Sequence, residues 1–251
     1  MLVLTAVVLA FVFFILAEFL IANYNGPSVA APDIPRGAEV LGSGPPLTYV
    51  VMGDSTSIGQ GTDYDHSYAL ASAKHLAQHY QVKFIIVGIS GATAQTVLDQ
   101  QLSQAVKYKP DVVLLAVGAN DAKSFTSGRS IQTSIQQIVD GLKQANCKVH
   151  IIVTGSPAMD AATRFPWPLK QLMRLRTAQV NHAFAPIVKR DNLTFAPIAS
   201  KTRAAFLADP TLLAADKFHP DARGYALWIP VVNQALDQAL QAPAPADCPK
   251  P

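Results

Sequence analysis

Cysteine is almost absent from this chain of 251 residues, which has only Cys147 and Cys248. Two cysteines exclude a scaffold built on disulfides. They allow at most one bridge, tying the C-terminal tail to the rest of the chain in an oxidising compartment, with two free thiols as the alternative. A strong charge of one sign is also missing. The net charge of +3 does not point to nucleic acid. No internal repeat is visible, which excludes a repeat array. No Lys or Arg precedes or interrupts the first apolar run, residues 2–22, whose single charge is Glu18. Cleaved secretory signals usually open with a basic stretch and carry about 7–15 apolar residues. This run is longer, and as a helix at about 1.5 Å per residue it spans about 31 Å, enough for a bilayer core. It predicts one N-terminal transmembrane helix, in residues 1–22, that stays as an anchor. Cleavage near the small residues Ser28-Val29-Ala30 would instead release a secreted domain.

Orientation has little to rest on. Arg36 is the one basic residue within reach of the run, which taken literally favours a cytoplasmic domain. The cysteine pair favours the opposite side, and an extracytoplasmic domain is the expectation adopted. Residues 23–46 carry Pro27, Pro32, Pro35, Pro45 and Pro46 and read as a semi-extended spacer. Residues 241–251 carry Pro243, Pro245, Pro249 and Pro251 and read as a disordered tail. Between them, residues 47–240 read as one domain. Apolar strand-like runs at 47–52, 82–87, 111–117, 149–154 and 193–197 alternate with helical patterns at 67–80, 94–107, 131–145, 172–190 and 222–240. That alternation predicts an α/β three-layer sandwich around a mainly parallel five-stranded sheet.

Four short blocks stand out. Gly53-Asp54-Ser55, Ser90-Gly91 and Gly118-Ala119-Asn120-Asp121 each follow a strand-like run, and Asp216-Lys217-Phe218-His219 lies far downstream. Ligands of open α/β sheets bind beyond the carboxyl ends of the strands, so the first three blocks converge on one rim. Ser55 is a weak nucleophile until a base takes its proton, and His219 is the best candidate for that base. Asp216, three residues earlier, can orient the imidazole and stabilise its charged form. Gly91 lets backbone approach a substrate closely, and the Asn120 side chain can donate to a developing oxyanion. Each block alone is an ordinary turn signal. Their order and placement together point to acyl transfer.

On these blocks the chain resembles the SGNH, or GDSL-type, hydrolases over residues 47–240. The serine block corresponds to Gly53-Asp54-Ser55-Thr56, the glycine block to Gly88-Ile89-Ser90-Gly91-Ala92-Thr93, the asparagine block to residues 118–121, and the last block to residues 216–219. The resemblance implies a flavodoxin-like sheet and catalysis without a metal or cofactor. It implies Ser55 as nucleophile, His219 as base and Asp216 as its orienter, with an oxyanion hole from the Ser55 and Gly91 amides and the Asn120 side chain. Thr56 stands where the family often has leucine, and Ile86 where an asparagine often opens the glycine block; neither position has a chemical role. The expected activity is serine-dependent hydrolysis of a small-molecule, lipid or glycan ester by a monomer. The alternatives are an acyltransferase using the same triad and a non-catalytic membrane-anchored binding domain.

Two further features bear on function. His75 and His79, four residues apart on a helical pattern, have metal-compatible spacing but no third ligand nearby, so no metal site is assigned. Residues 164–190 contain Arg164, Lys170, Arg174, Arg176, Lys189 and Arg190 and no acidic residue. The segment starts with Phe165-Pro166-Trp167-Pro168, and aromatics beside cations suit a substrate or membrane contact through Phe165 and Trp167.

Overall fold

The computed structural model describes residues 2–21 and 26–242. Its elements run α1 (Leu2–Leu20), β1 (Ala38–Leu41), β2 (Pro46–Gly53), α2 (Tyr68–Leu76), β3 (Gln81–Ile86), α3 (Ala94–Thr96), α4 (Leu102–Ala105), β4 (Val112–Ala116), α5 (Ala119–Lys123), α6 (Gly128–Ala145), β5 (His150–Val153), α7 (Leu169–Arg190), β6 (Thr194–Phe195), α8 (Ile198–Ala208) and α9 (Ala222–Gln241). One sheet has the order β1-β3-β2-β4-β5-β6. Five of its strands are parallel, as expected, and the sixth, β1, pairs antiparallel with β3.

The central strands are apolar on both faces because both faces are covered. Val50, Met52, Val113, Leu115 and Val153 join one core with Ile135 and Leu142 of α6 and Phe184 of α7. Tyr49, Val51, Val112 and Leu114 join a second core with Leu70 of α2, Phe206 of α8 and Trp228 of α9. This is why the sequence shows continuous apolar runs instead of strict alternation. Strand order reverses at β2, which lies between β3 and β4. A crevice opens at such a switch point beyond the strands' carboxyl ends.

The structure corrects three boundaries. Residues 38–41, read as spacer, form the edge strand β1, so the domain begins before residue 47. Residues 26–37 are not a free tether, because Gln60 Nε2 donates to Val29 O at 2.9 Å and Arg164 Nη1 donates to Pro27 O at 2.9 Å. The helix expected over 94–107 is broken into α3, a π-helical turn at Val97–Gln101, α4 and a 3-10 turn. The wider π turn aims the Gln101 side chain into the core, where it meets the end of β2. Gln241 ends α9. The rest of the expected tail, 243–251, lies outside the described residues. Cys147 is disulfide-bonded, and Cys248, the other half of the expected bridge, also lies outside them.

Among the described residues, one helix is long and apolar enough to cross a membrane. Val3–Leu20 has a mean hydropathy of 2.7, and none of it is buried against the rest of the chain. Near its C-terminal end Phe19 meets the Phe125 ring edge-on at 5.7 Å.

Candidate active site

Ser55 sits where β2 leaves the sheet. Gly53 takes φ +141°, and a Cβ there would come within 1.9 Å of Ala116 O, so only glycine lets β2 turn this tightly against β4. Gln101 clamps the turn: it accepts from Gly53 N and donates to Gly53 O, both at 2.8 Å. The Asp54 amide bonds Ala116 O at 2.9 Å. Thr56 donates to Asp54 Oδ1 through its amide (2.9 Å) and its hydroxyl (2.8 Å). The backbone on either side of the serine is therefore fixed from three directions.

His219 arrives on a loop just before α9. A bridge pairs Leu213 with Pro220, Ala214 N donates to His219 O at 2.8 Å, and Lys217 adopts φ +59°. Asp216 Oδ1 accepts from the Phe218 and His219 amides, each at 3.0 Å, which leaves Oδ2 to meet His219 Nδ1 at 2.5 Å. His219 Nε2 lies 2.8 Å from Ser55 Oγ. The imidazole packs edge-on against Phe218, with ring centres 4.9 Å apart. Burial works to raise the Asp216 pKa. The His219 hydrogen bond and charge, with the two amides, outweigh it and hold the carboxyl below its ordinary value.

Ser55, Gly91, Asn120 and His219 share one cleft of about 450 Å³, lined also by Ser90, Lys123, Arg164 and Phe165. Gly91 takes φ +81° with open space where a Cβ would stand. Asn120 lies in the first turn of α5. Its Nδ2 donates to Ala92 O at 3.1 Å, which leaves the second amide hydrogen for a ligand. Among the described residues, the Ser55 and Gly91 amides donate to no protein acceptor. An apolar pocket lined by Met159, Phe206, Leu213 and Trp228 meets the cleft at Phe218 and His219.

The structure thus brings together all five site residues expected from the sequence. Phe165 and Trp167 part company: Phe165 is buried and lines the cleft, whereas Trp167 is 70% exposed. His75 bonds Asp237 at 2.7 Å, away from the cleft. Gln101, Lys123 and Arg164 were not singled out for the cleft from sequence. A polar residue at an inward position of an otherwise apolar helix face was the available signal for Gln101, and Lys123, one helical turn after Asn120, was the signal for itself.

Asp54 offers a test of these electrostatics. Burial pushes its carboxyl up to about 6 from 3.8, against the Thr56 hydrogen bonds and the His219 charge, which pull it down. A raised folded-state pKa means stability that is full below the unfolded value and is lost as pH rises through the folded one. A rise from 3.8 to about 6 corresponds to about 3 kcal/mol in all. Asp54→Asn keeps the Oδ1 acceptor for Thr56 and removes the charge. Denaturant unfolding at pH 4 and pH 8 is expected to show the variant gaining about 2 kcal/mol on wild type between the two, because at pH 4 the unfolded carboxyl is already partly ionised. An unchanged difference would mean Asp54 titrates normally.

Comparisons with known proteins bear on the fold and the family. Residues 51–227 match the model of the GDSL-like lipase/acylhydrolase family. A GDSL-like esterase of Mycobacterium tuberculosis is 28% identical over 229 residues, covering 85% of this chain and 72% of that protein. Among solved structures, TesA superposes with a TM-score of 0.64 at 17% identity, covering 76% of this chain and 99% of TesA. An extracellular lipase from Streptomyces rimosus superposes with a TM-score of 0.60 at 21% identity, covering 75% and 99%. These two likenesses speak to the fold. The family match takes in the Ser55 turn, the Gly91 loop, Asn120 and His219, and by it this chain belongs to the GDSL-like lipase/acylhydrolases and is a hydrolase of ester bonds.

Proposed function

We propose that the chain is a membrane-anchored serine esterase working through Ser55, His219 and Asp216. The observation that carries this reading is the hydrogen-bond chain from Asp216 through His219 to Ser55, at 2.5 and 2.8 Å, ending in the cleft beside Gly91 and Asn120. Ser55 Oγ attacks the ester carbonyl as His219 Nε2 takes its proton. Asp216 steadies the imidazolium through Nδ1. The Ser55 and Gly91 amides with Asn120 Nδ2 hold the oxyanion. Collapse expels the alcohol, which takes the proton from His219, and a water activated by the same imidazole then releases the acid.

The substrate is a small-molecule, lipid or glycan ester, met at the membrane that α1 anchors. The cysteine pair favours an extracytoplasmic domain. Full-length protein in detergent is expected to hydrolyse p-nitrophenyl esters, and added acceptor alcohols are expected not to divert the acyl group. Absence of turnover across short and long acyl chains, or dominant transfer to the acceptor, would overturn the reading. Asn120→Ala is expected to lower kcat by 10²–10³ with little change in KM, as for loss of one oxyanion donor in other acyl-transfer enzymes.

A further inference from the structure

Two cations flank the candidate nucleophile, and the proposed mechanism uses neither. Lys123 stands one helical turn after Asn120, so α5 aims both into the cleft. Arg164, on the loop before α7, also lines the cleft and is pinned to the His219 loop, because its amide donates to Lys217 O at 3.0 Å. Its guanidinium is steadied from outside by Pro27 O. The two sense each other: burial is the larger cause pulling the Lys123 pKa down, the Arg164 charge adds to it, and Asp54 opposes.

Among the described residues no acidic side chain lines this cleft. Asp54 spends its Oδ1 on Thr56, and Asp216 spends both oxygens within its own loop. Among the described residues no carboxylate forms an ion pair with Lys123, whose ammonium lies 5.9 Å from the Phe218 ring centre. The half-buried Lys123 ammonium, beside the like charge of Arg164, is stabilised when an anion binds next to it. Charge-assisted hydrogen bonds from such a pair are stronger than neutral ones.

We propose that Lys123 and Arg164 form an anion subsite that selects esters carrying a negatively charged group, a carboxylate or phosphate, near the scissile carbonyl. This inference rests on the ester-hydrolase reading and narrows its substrate class. The charge can sit on either half of the ester, and two matched pairs separate the cases. p-Nitrophenyl hydrogen adipate against p-nitrophenyl hexanoate places it on the acyl half, and para-acetoxybenzoate against para-acetoxybenzamide places it on the alcohol half.

In at least one pair the anionic ester is expected to show a tenfold or greater advantage in kcat/KM for the full-length enzyme. Lys123→Met is expected to collapse that ratio to about twofold and Lys123→Glu to invert it, whereas Lys123→Arg keeps it. Arg174→Met, an equal loss of charge on the exposed face of α7, is expected to leave the ratio in place. Turnover of the neutral esters with no anionic advantage in either pair would overturn the subsite and leave the esterase reading standing. An advantage lost equally in Arg174→Met would reduce it to general surface charge. No turnover of any ester would be a failure of the esterase reading itself.

Discussion

His219→Ala is expected to lower kcat for a p-nitrophenyl ester by about 10⁶, the loss seen elsewhere when the base of a serine triad is removed. The reason is local. Ser55 Oγ has its imidazole acceptor 2.8 Å away, and among the described residues no other titratable side chain bonds it. Without that acceptor the hydroxyl stays protonated and the attack loses its base. The fold is expected to survive, because Asp216 Oδ1 keeps its two amide donors and the Leu213–Pro220 bridge is backbone. Steady-state kinetics with a thermal melt on the same sample separates the two effects. A folded variant within tenfold of wild type would remove His219 from the reaction.

Asp216→Asn is expected to cost about 10⁴ in kcat with the loop geometry intact. An asparagine can still accept from the Phe218 and His219 amides through Oδ1. Its Nδ2 then faces His219 Nδ1 as a donor, where Asp216 Oδ2 now accepts at 2.5 Å. The imidazole must answer with an unprotonated Nδ1, which puts its proton on Nε2, the atom that has to receive the Ser55 proton. The result is the wrong tautomer in the right place. Because the defect lies in the tautomer and not in ester binding, KM is expected to stay within a few fold. A loss confined to KM would assign Asp216 to substrate contact instead.

The site was legible because its parts obey sheet topology. Ser55, Gly91 and Asn120 each follow an apolar strand, and parallel strands deliver their carboxyl ends to one rim. The Asp216–His219 spacing could be read as a turn, and the turn proved to be closed by Asp216 itself. What stayed hidden was held by tertiary contact. β1 is four residues long with Val40 66% exposed, so its pairing with β3 rests on backbone bonds that leave no apolar pattern. α8 buries only Ile198, Thr202 and Phe206, one residue per turn, too narrow a stripe to mark a helix. Gln101 bonds across 48 residues to Gly53, a contact that becomes visible only when the π turn points it inward. Lys123 and Arg164 lie 41 positions apart and line one cleft only because the fold brings α5 and the loop before α7 to the same rim.

The central claim is that Ser55 is a nucleophile activated by His219. A fluorophosphonate probe reads this directly, since it forms a covalent bond only with an activated serine. Intact-mass and peptide mapping of the full-length protein are expected to show one adduct, on Ser55. Ser55→Ala is expected to abolish it and His219→Ala to slow it by orders of magnitude. Adduct formation on another residue, or at an unchanged rate in His219→Ala, would contradict the account.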